Sequence, residues 1–237
     1  MKKIFTLIAV LFTALSMNAQ SGSQIISWTD ADVAAQGTLD GKTFGEGFVA
    51  TLVDKAGKMA IDANNAYFGD ATSQIKFTHR LKSGAKSQSA ETKLNQVELT
   101  IPSAGTLKIC ARTGSNSATD RNLVVTQGET ELYNQVILES QAVKVKGLDP
   151  ADPDKETNVY PIISVEVQAG TVILTYPIGS MNFYAFAMGD IITGIDNVIA
   201  APAKDVKSNV TYNLSGQRVN ENYKGVVIKD GKKAIQK

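Results

Sequence analysis

Four cations carry the strongest hint of chemistry in this chain of 237 residues. Arg80 and Lys82 sit in the run FTHRLK at 77–82. Arg112 ends one apolar-alternating run, and Arg121 opens the next across the polar stretch TGSNSATD at 113–120. Two arginines at the feet of one loop belong at one end of the sheet that carries them. A guanidinium offers parallel N–H donors that match a carboxylate. If Arg80 and Lys82 join that end, the group suits an anionic ligand, and among sugars a uronic acid. Neutralising nearer acids, Asp120 first, is the competing use of the same arginines.

Other chemistry is thinner. Asp149, Asp152, Asp154 and Glu156 crowd one stretch, and clustered carboxylates hold hard cations such as calcium. The spacing is not that of an EF-hand, which leaves calcium beside a plain solvated acidic loop; no other cofactor is indicated. A single His and a single Cys exclude multi-His and multi-Cys metal sites and any internal disulfide. His79 would need a nucleophile and an acid beside it to act as a base. No Gly-x-Ser-x-Gly elbow appears, and no carboxylate pair stands out as a glycosidase pair. The reading is therefore non-catalytic. Trp28, Tyr67, Phe68, Tyr133, Tyr160, Tyr176, Phe183 and Tyr184 are aromatic enough for sugar platforms, and each equally suits a core. The stretch Asn64 to Tyr67 reads as a polar turn.

Positioning these residues falls to strands. Runs at 24–29, 48–53, 74–78, 96–101, 106–111, 122–127, 131–138, 142–145, 162–168, 171–176 and 183–188 alternate or are β-branched, with turn residues between them. Ile163, Val165 and Val167 alternate with Ser164, Glu166 and Gln168, which buries one face of an antiparallel strand. Leu107, Ile109 and Ala111 share one face of their run, which places Cys110 half-buried on the other. The fold class is all-β: an antiparallel β-sandwich followed by a small C-terminal β-hairpin domain. Thr29 to Ala35 reads as one short helix capped by Thr29 or Asp30. Loops at 82–93 and 147–158 are polar and read as exposed.

The ends differ from the body. Residues 1–19 have two lysines, an apolar run from Ile4 to Leu15 and a small residue at Ala19, as a cleaved signal peptide does. That predicts a secreted or surface protein with its sandwich at 20–192, a linker at 193–204 and a C-terminal domain at 205–237. No later run is apolar for long enough to predict a membrane span. Net charge is +1, which argues against a nucleic-acid partner. It is divided unevenly: residues 200–237 hold eight Lys or Arg against three Asp or Glu, and residues 20–199 hold fourteen against twenty. Strands are expected at 209–214, 217–219, 225–229 and 233–236, with turns at Ser215-Gly216 and Asp230-Gly231.

Two resemblances add to this. IDNV at 195–198, TYNLSGQRV at 211–219, KGVVI at 224–228 and DGKKA at 230–234 together resemble the C-terminal sorting domain of type IX secretion cargo. That resemblance implies the type IX secretion machinery as a partner. FTHRLKSG at 77–84, QVELTIP at 96–102, GTLKI at 105–109, DRNLVV at 120–125 and GSMNFYAF at 179–186 resemble the galactose-binding-like module appended to secreted pectate lyases. It implies a jelly roll that binds polysaccharide without cleaving it. A structural or adhesive surface protein with a protein partner, and a hydrolase or lyase with an unrecognised site, are the alternatives.

Overall fold

Ile163, Val165 and Val167 are buried and Ser164 and Glu166 exposed in the computed structural model, as the alternation requires. The structure describes residues 24–87, 94–191, 211–213, 218–219, 224–229 and 232–236. Strands are numbered in chain order. One sheet runs β10 (Val143–Val145), β11 (Thr157–Tyr160), β4 (Ala60–Gly69), β5 (Gln74–Lys82), β14 (Met181–Met188), β7 (Gly105–Thr113), β12 (Ile163–Val167), with β1 (Gln24–Ser27) also on β14. The other runs β2 (Thr43–Phe44), β3 (Val49–Asp54), β6 (Asn95–Ile101), β13 (Gly170–Thr175), β8 (Asn122–Gln127), β9 (Thr130–Val136). The fold is an all-β sandwich. Leu52, Leu99, Leu107, Ile109, Leu123, Val172, Leu174, Phe183 and Phe186 fill one core between the sheets. Each such side chain contributes roughly 1.5–3 kcal/mol on leaving water.

Every strand predicted for the body is present, β8 with the expected bounds and the others with shifted ends. Three more appear. β2 has two residues. β4 covers the stretch expected as a polar turn, because Asn64 and Asn65 form a bulge within it: the register on β5 shifts between Ala63 and Ala66. β11 begins inside the predicted loop 147–158 and pairs with β4 in the only parallel ladder among the described residues. The helix α1 (Asp30–Ala34) forms as expected, with Thr29 as N-cap in a capping box with Asp32.

The loop after β5 is a correction. Ser83 and Ser87 are fully buried rather than exposed. The Ser83 hydroxyl accepts from the Met181 amide at 2.9 Å and Ser87 from the Tyr176 amide at 2.6 Å. Gly84 turns the chain at φ +68°, where an added Cβ would meet the Lys58 carbonyl oxygen at 1.9 Å. Residues 88–93 of this loop lie outside the described residues.

The centre of the large sheet is β14. Its residues 182 and 183 pair with β5, and residues 185 to 188 pair along the same edge with β1. At the changeover the register on β7 shifts between Phe183 and Ala185. The Phe183 carbonyl at this break accepts the Trp28 indole N–H at 2.9 Å. The bond ties the residue that follows β1 to β14 at the break.

The chain divides into two units, Met1–Val198 and Ile199–Lys237. Within the second, β15 (Thr211–Asn213), β16 (Arg218–Val219), β17 (Gly225–Lys229) and β18 (Lys232–Gln236) form an antiparallel sheet in the order β16-β15-β17-β18. The predicted turns at Ser215-Gly216 and Asp230-Gly231, the signal peptide and its Ala19 site, and the linker lie outside the described residues. No helix among the described residues is long and apolar enough to cross a membrane.

Candidate functional site

Strand β7 presents Cys110 and Arg112 on the side away from Leu107, Ile109 and Ala111. Cys110 is fully buried there, not half-buried, in a second cluster with Phe68, Phe77, Tyr160, Tyr184 and Ala185. Burial pushes its thiol pKa far up, so it is a packing group and not a nucleophile. Arg112 lies beyond this cluster. Its guanidinium carbon stands 4.9 Å from the centre of the Tyr160 ring. Tyr160 is held at the end of β11 by the parallel pairing to Phe68 of β4.

Glu139 completes the arrangement from a single 3-10 turn, Glu139–Gln141. Its Oε1 accepts the Tyr160 hydroxyl at 2.5 Å and the Asn158 amide at 3.1 Å. Its Oε2 is 3.8 Å from Arg112 Nη2, which donates instead to Asn116 Oδ1 at 2.8 Å. Two atoms remain over. Arg112 Nε and Glu139 Oε2 are buried and have no hydrogen-bond partner. A buried polar atom left unpaired costs about 1–3 kcal/mol. Burial and the Glu139 contact push the Tyr160 phenol up to about 12.

These residues form one wall of an open cleft of about 600 Å³. Tyr67 and Lys76 face it from β4 and β5, and Asn65 enters from the β4 bulge. The Lys76 ammonium is 5.8 Å from the Tyr67 ring centre. The Tyr67 hydroxyl donates to the Leu148 carbonyl at 2.9 Å, and burial raises its pKa. Lys144 pairs with Glu156 at 3.2 Å and Lys155 with Asp149 at 2.9 Å, so these charges are matched on the cleft rim. Lys76 has no ion pair with a described residue. The cleft thus combines two tyrosines, several amides, one unpaired ammonium and a half-satisfied Arg–Glu pair.

The four cations singled out from sequence do not converge. Arg80 Nε donates to Asp62 Oδ1 at 2.7 Å and its Nη2 to Oδ2 at 3.2 Å, and Lys82 lies 3.4 Å from the same carboxylate. Burial works to raise the Asp62 pKa, but the Arg80 and Lys82 contacts outweigh it and hold the carboxyl below its ordinary value. Arg121 donates through Nη1 to the Ser180 hydroxyl at 3.0 Å and the Ser180 carbonyl at 3.2 Å. Of the four, Arg112 alone lines the cleft. Asp120 is not the acid that pairs with these arginines. The acidic stretch does not gather either. Asp149 and Glu156 are each tied to a lysine, and among the described residues no three metal-ligating side chains come together, Asp152 and Asp154 included.

Glu139, Asn116, Asn158 and Lys76 were not singled out from sequence. Their roles depend on chain crossings that no local spacing shows. Trp28, Phe68, Tyr176, Phe183 and Tyr184 are core residues, not sugar platforms. His79 has the neighbours a base would need: Thr78 Oγ1 lies 2.9 Å from Nδ1 and Asp30 Oδ1 lies 3.0 Å from Nε2. The Asp30 side chain is 98% exposed, however, and water screens its hold on the ring. The contact joins the first turn of α1 to β5.

No protein-family model and no curated protein matches the chain. A solved chain described as "The complexity of the Ruminococcus flavefaciens cellulosome reflects an expansion in glycan recognition" is similar over 71% of this chain and 94% of its own length, at 14% identity and a TM-score of 0.33.

Proposed function

We propose that this protein is a non-catalytic glycan-binding module, and that it binds anionic, uronic-acid-containing polysaccharide in the cleft beside Arg112. The observation that carries this reading is the orphaned pair, Arg112 Nε and Glu139 Oε2, in the wall of an open polar cleft. A small shift of the Arg112 or Glu139 side chain exposes a cationic donor to a sugar carboxylate and an anionic acceptor to a sugar hydroxyl. Tyr67 and Tyr160 line the same cleft, where their rings carry Lys76 and Arg112 and hold these cations in place. Lys76 adds a second cation. The resemblance of the body to galactose-binding-like jelly rolls supports the same reading. The tail's resemblance to type IX sorting domains supports export through a cleaved signal peptide, with the tail directing the protein to the outer surface.

Binding of the chain without residues 1–19 to neutral and uronic-acid polysaccharides tests this. Uronate binding that weakens with salt, and at least about tenfold on Arg112→Ala, is expected, since a charge-assisted hydrogen bond contributes about 1.5–3 kcal/mol. Arg80→Ala and Arg121→Ala should leave it unchanged. No binding to any glycan would sink the reading and favour a protein partner.

A further inference from the structure

Tyr160 lines two depressions. Besides the polar cleft, it borders an apolar one of about 260 Å³, whose walls include Ile137, Leu138, Ile162 and Tyr133. This second depression lies where β9 and β12, edge strands of the two sheets, come near each other. It opens there because the chain leaves β9 through Ile137 and Leu138, turns at Glu139–Gln141 and passes on to β10, leaving the sandwich side uncovered. The same turn supplies Glu139 to the polar cleft and Gln141 to the apolar one. Gln141 is already committed: its Oε1 accepts from the Leu138 amide at 2.8 Å. The Tyr133 hydroxyl, by contrast, makes no hydrogen bond to a described residue. Its pKa is raised by burial.

The size and chemistry of this slot are specific. An apolar cavity of about 150 Å³ is enough to hold a benzene ring. A slot of this larger volume, walled mainly by aliphatic side chains and the two tyrosines, with Gln141 and Ser164 its polar members, has room for a single aryl group. We propose that the ligand of the polar cleft carries an aryl substituent, and that this ring occupies the apolar slot across Tyr160 while the sugar lies against Arg112. The inference rests on the glycan-binding reading and names the class of glycan: one bearing an aromatic ester or ether. Tyr133 gives such a ring a hydroxyl partner if it is phenolic.

Calorimetry on the chain without residues 1–19 tests it, with the methyl and 4-nitrophenyl glycosides of one digalacturonide. The aryl glycoside should bind at least tenfold more tightly. Leu138→Trp fills the slot and should bring the aryl glycoside down to the affinity of the methyl one, with methyl glycoside binding unchanged. Ile162→Ser, in a chain whose circular dichroism matches the parent, should shrink the same preference. Equal binding of the two glycosides by the parent overturns the aryl slot and leaves the glycan reading standing. An aryl preference that survives both substitutions also overturns the slot. Failure of either glycoside to bind a folded parent overturns the uronate reading and the slot with it.

Discussion

At the scale of single residues, the site turns on how few atoms are left unsatisfied. Most polar groups near the cleft already have partners, and Arg112 and Glu139 are the pair that does not close. Arg112→Lys therefore tests more than charge. A lysine keeps the cation but loses the planar fork and the stacking on Tyr160. It should weaken uronate binding nearly as far as alanine does, measured by the same titration. Tyr160 offers a pH test. Its phenol is raised above the ordinary value of 10 to about 12 in the folded chain. Between those values the unfolded chain has lost a proton that the folded chain keeps. Stability should be intact below pH 10 and fall as pH rises toward 12. Urea unfolding across that range checks it; Tyr160→Phe should flatten this part of the slope. Arg112 was legible because strand alternation turns it away from the inter-sheet core and a polar loop follows it. Glu139 was not, because a turn of three residues brings it back to β11, and no period in the sequence encodes that return.

At the scale of elements, alternation carried the reading and interruptions defeated it. Strands such as β3 and β12 keep their period throughout. β4 does not: its bulge at Asn64 and Asn65 breaks the alternation, and an Asn pair is also ordinary turn chemistry. The same bulge places Asn65 on the cleft and gives the buried Tyr184 hydroxyl its acceptor, Asn64 Oδ1, at 2.5 Å. β11 was hidden by its proline-rich and acidic approach and by its parallel pairing, which depends on a strand some ninety residues earlier. A different break, in β14, yields a sharper expectation. Trp28→Phe keeps an aromatic ring in the core but removes the buried indole hydrogen bond to the Phe183 carbonyl at the strand changeover. It should cost about 1–3 kcal/mol in urea unfolding. Glycan binding should be unchanged, because Trp28 does not line the cleft. A cost near zero would mean that the break holds without the indole.

At the scale of the whole molecule, the chain parts into an acidic body and a basic tail unit. A chain ending at Val198 should melt at the same temperature as the longer one, by calorimetry. Residues 195–237 fused to an exported reporter should carry it to the surface of a bacterium with type IX secretion, and retention of the reporter in the periplasm would remove the sorting role. The pairing of β1 with β14 has a further consequence, for time rather than stability. Gln24 meets Met188, and Trp28 reaches a carbonyl 155 residues away. The large sheet thus cannot be completed until almost all of the body has been made. Contacts of such high sequence separation slow folding. The only tryptophan of the chain docks in the closing step. In refolding experiments the fluorescence of Trp28 should therefore change with the slowest phase, after most strand signal has returned.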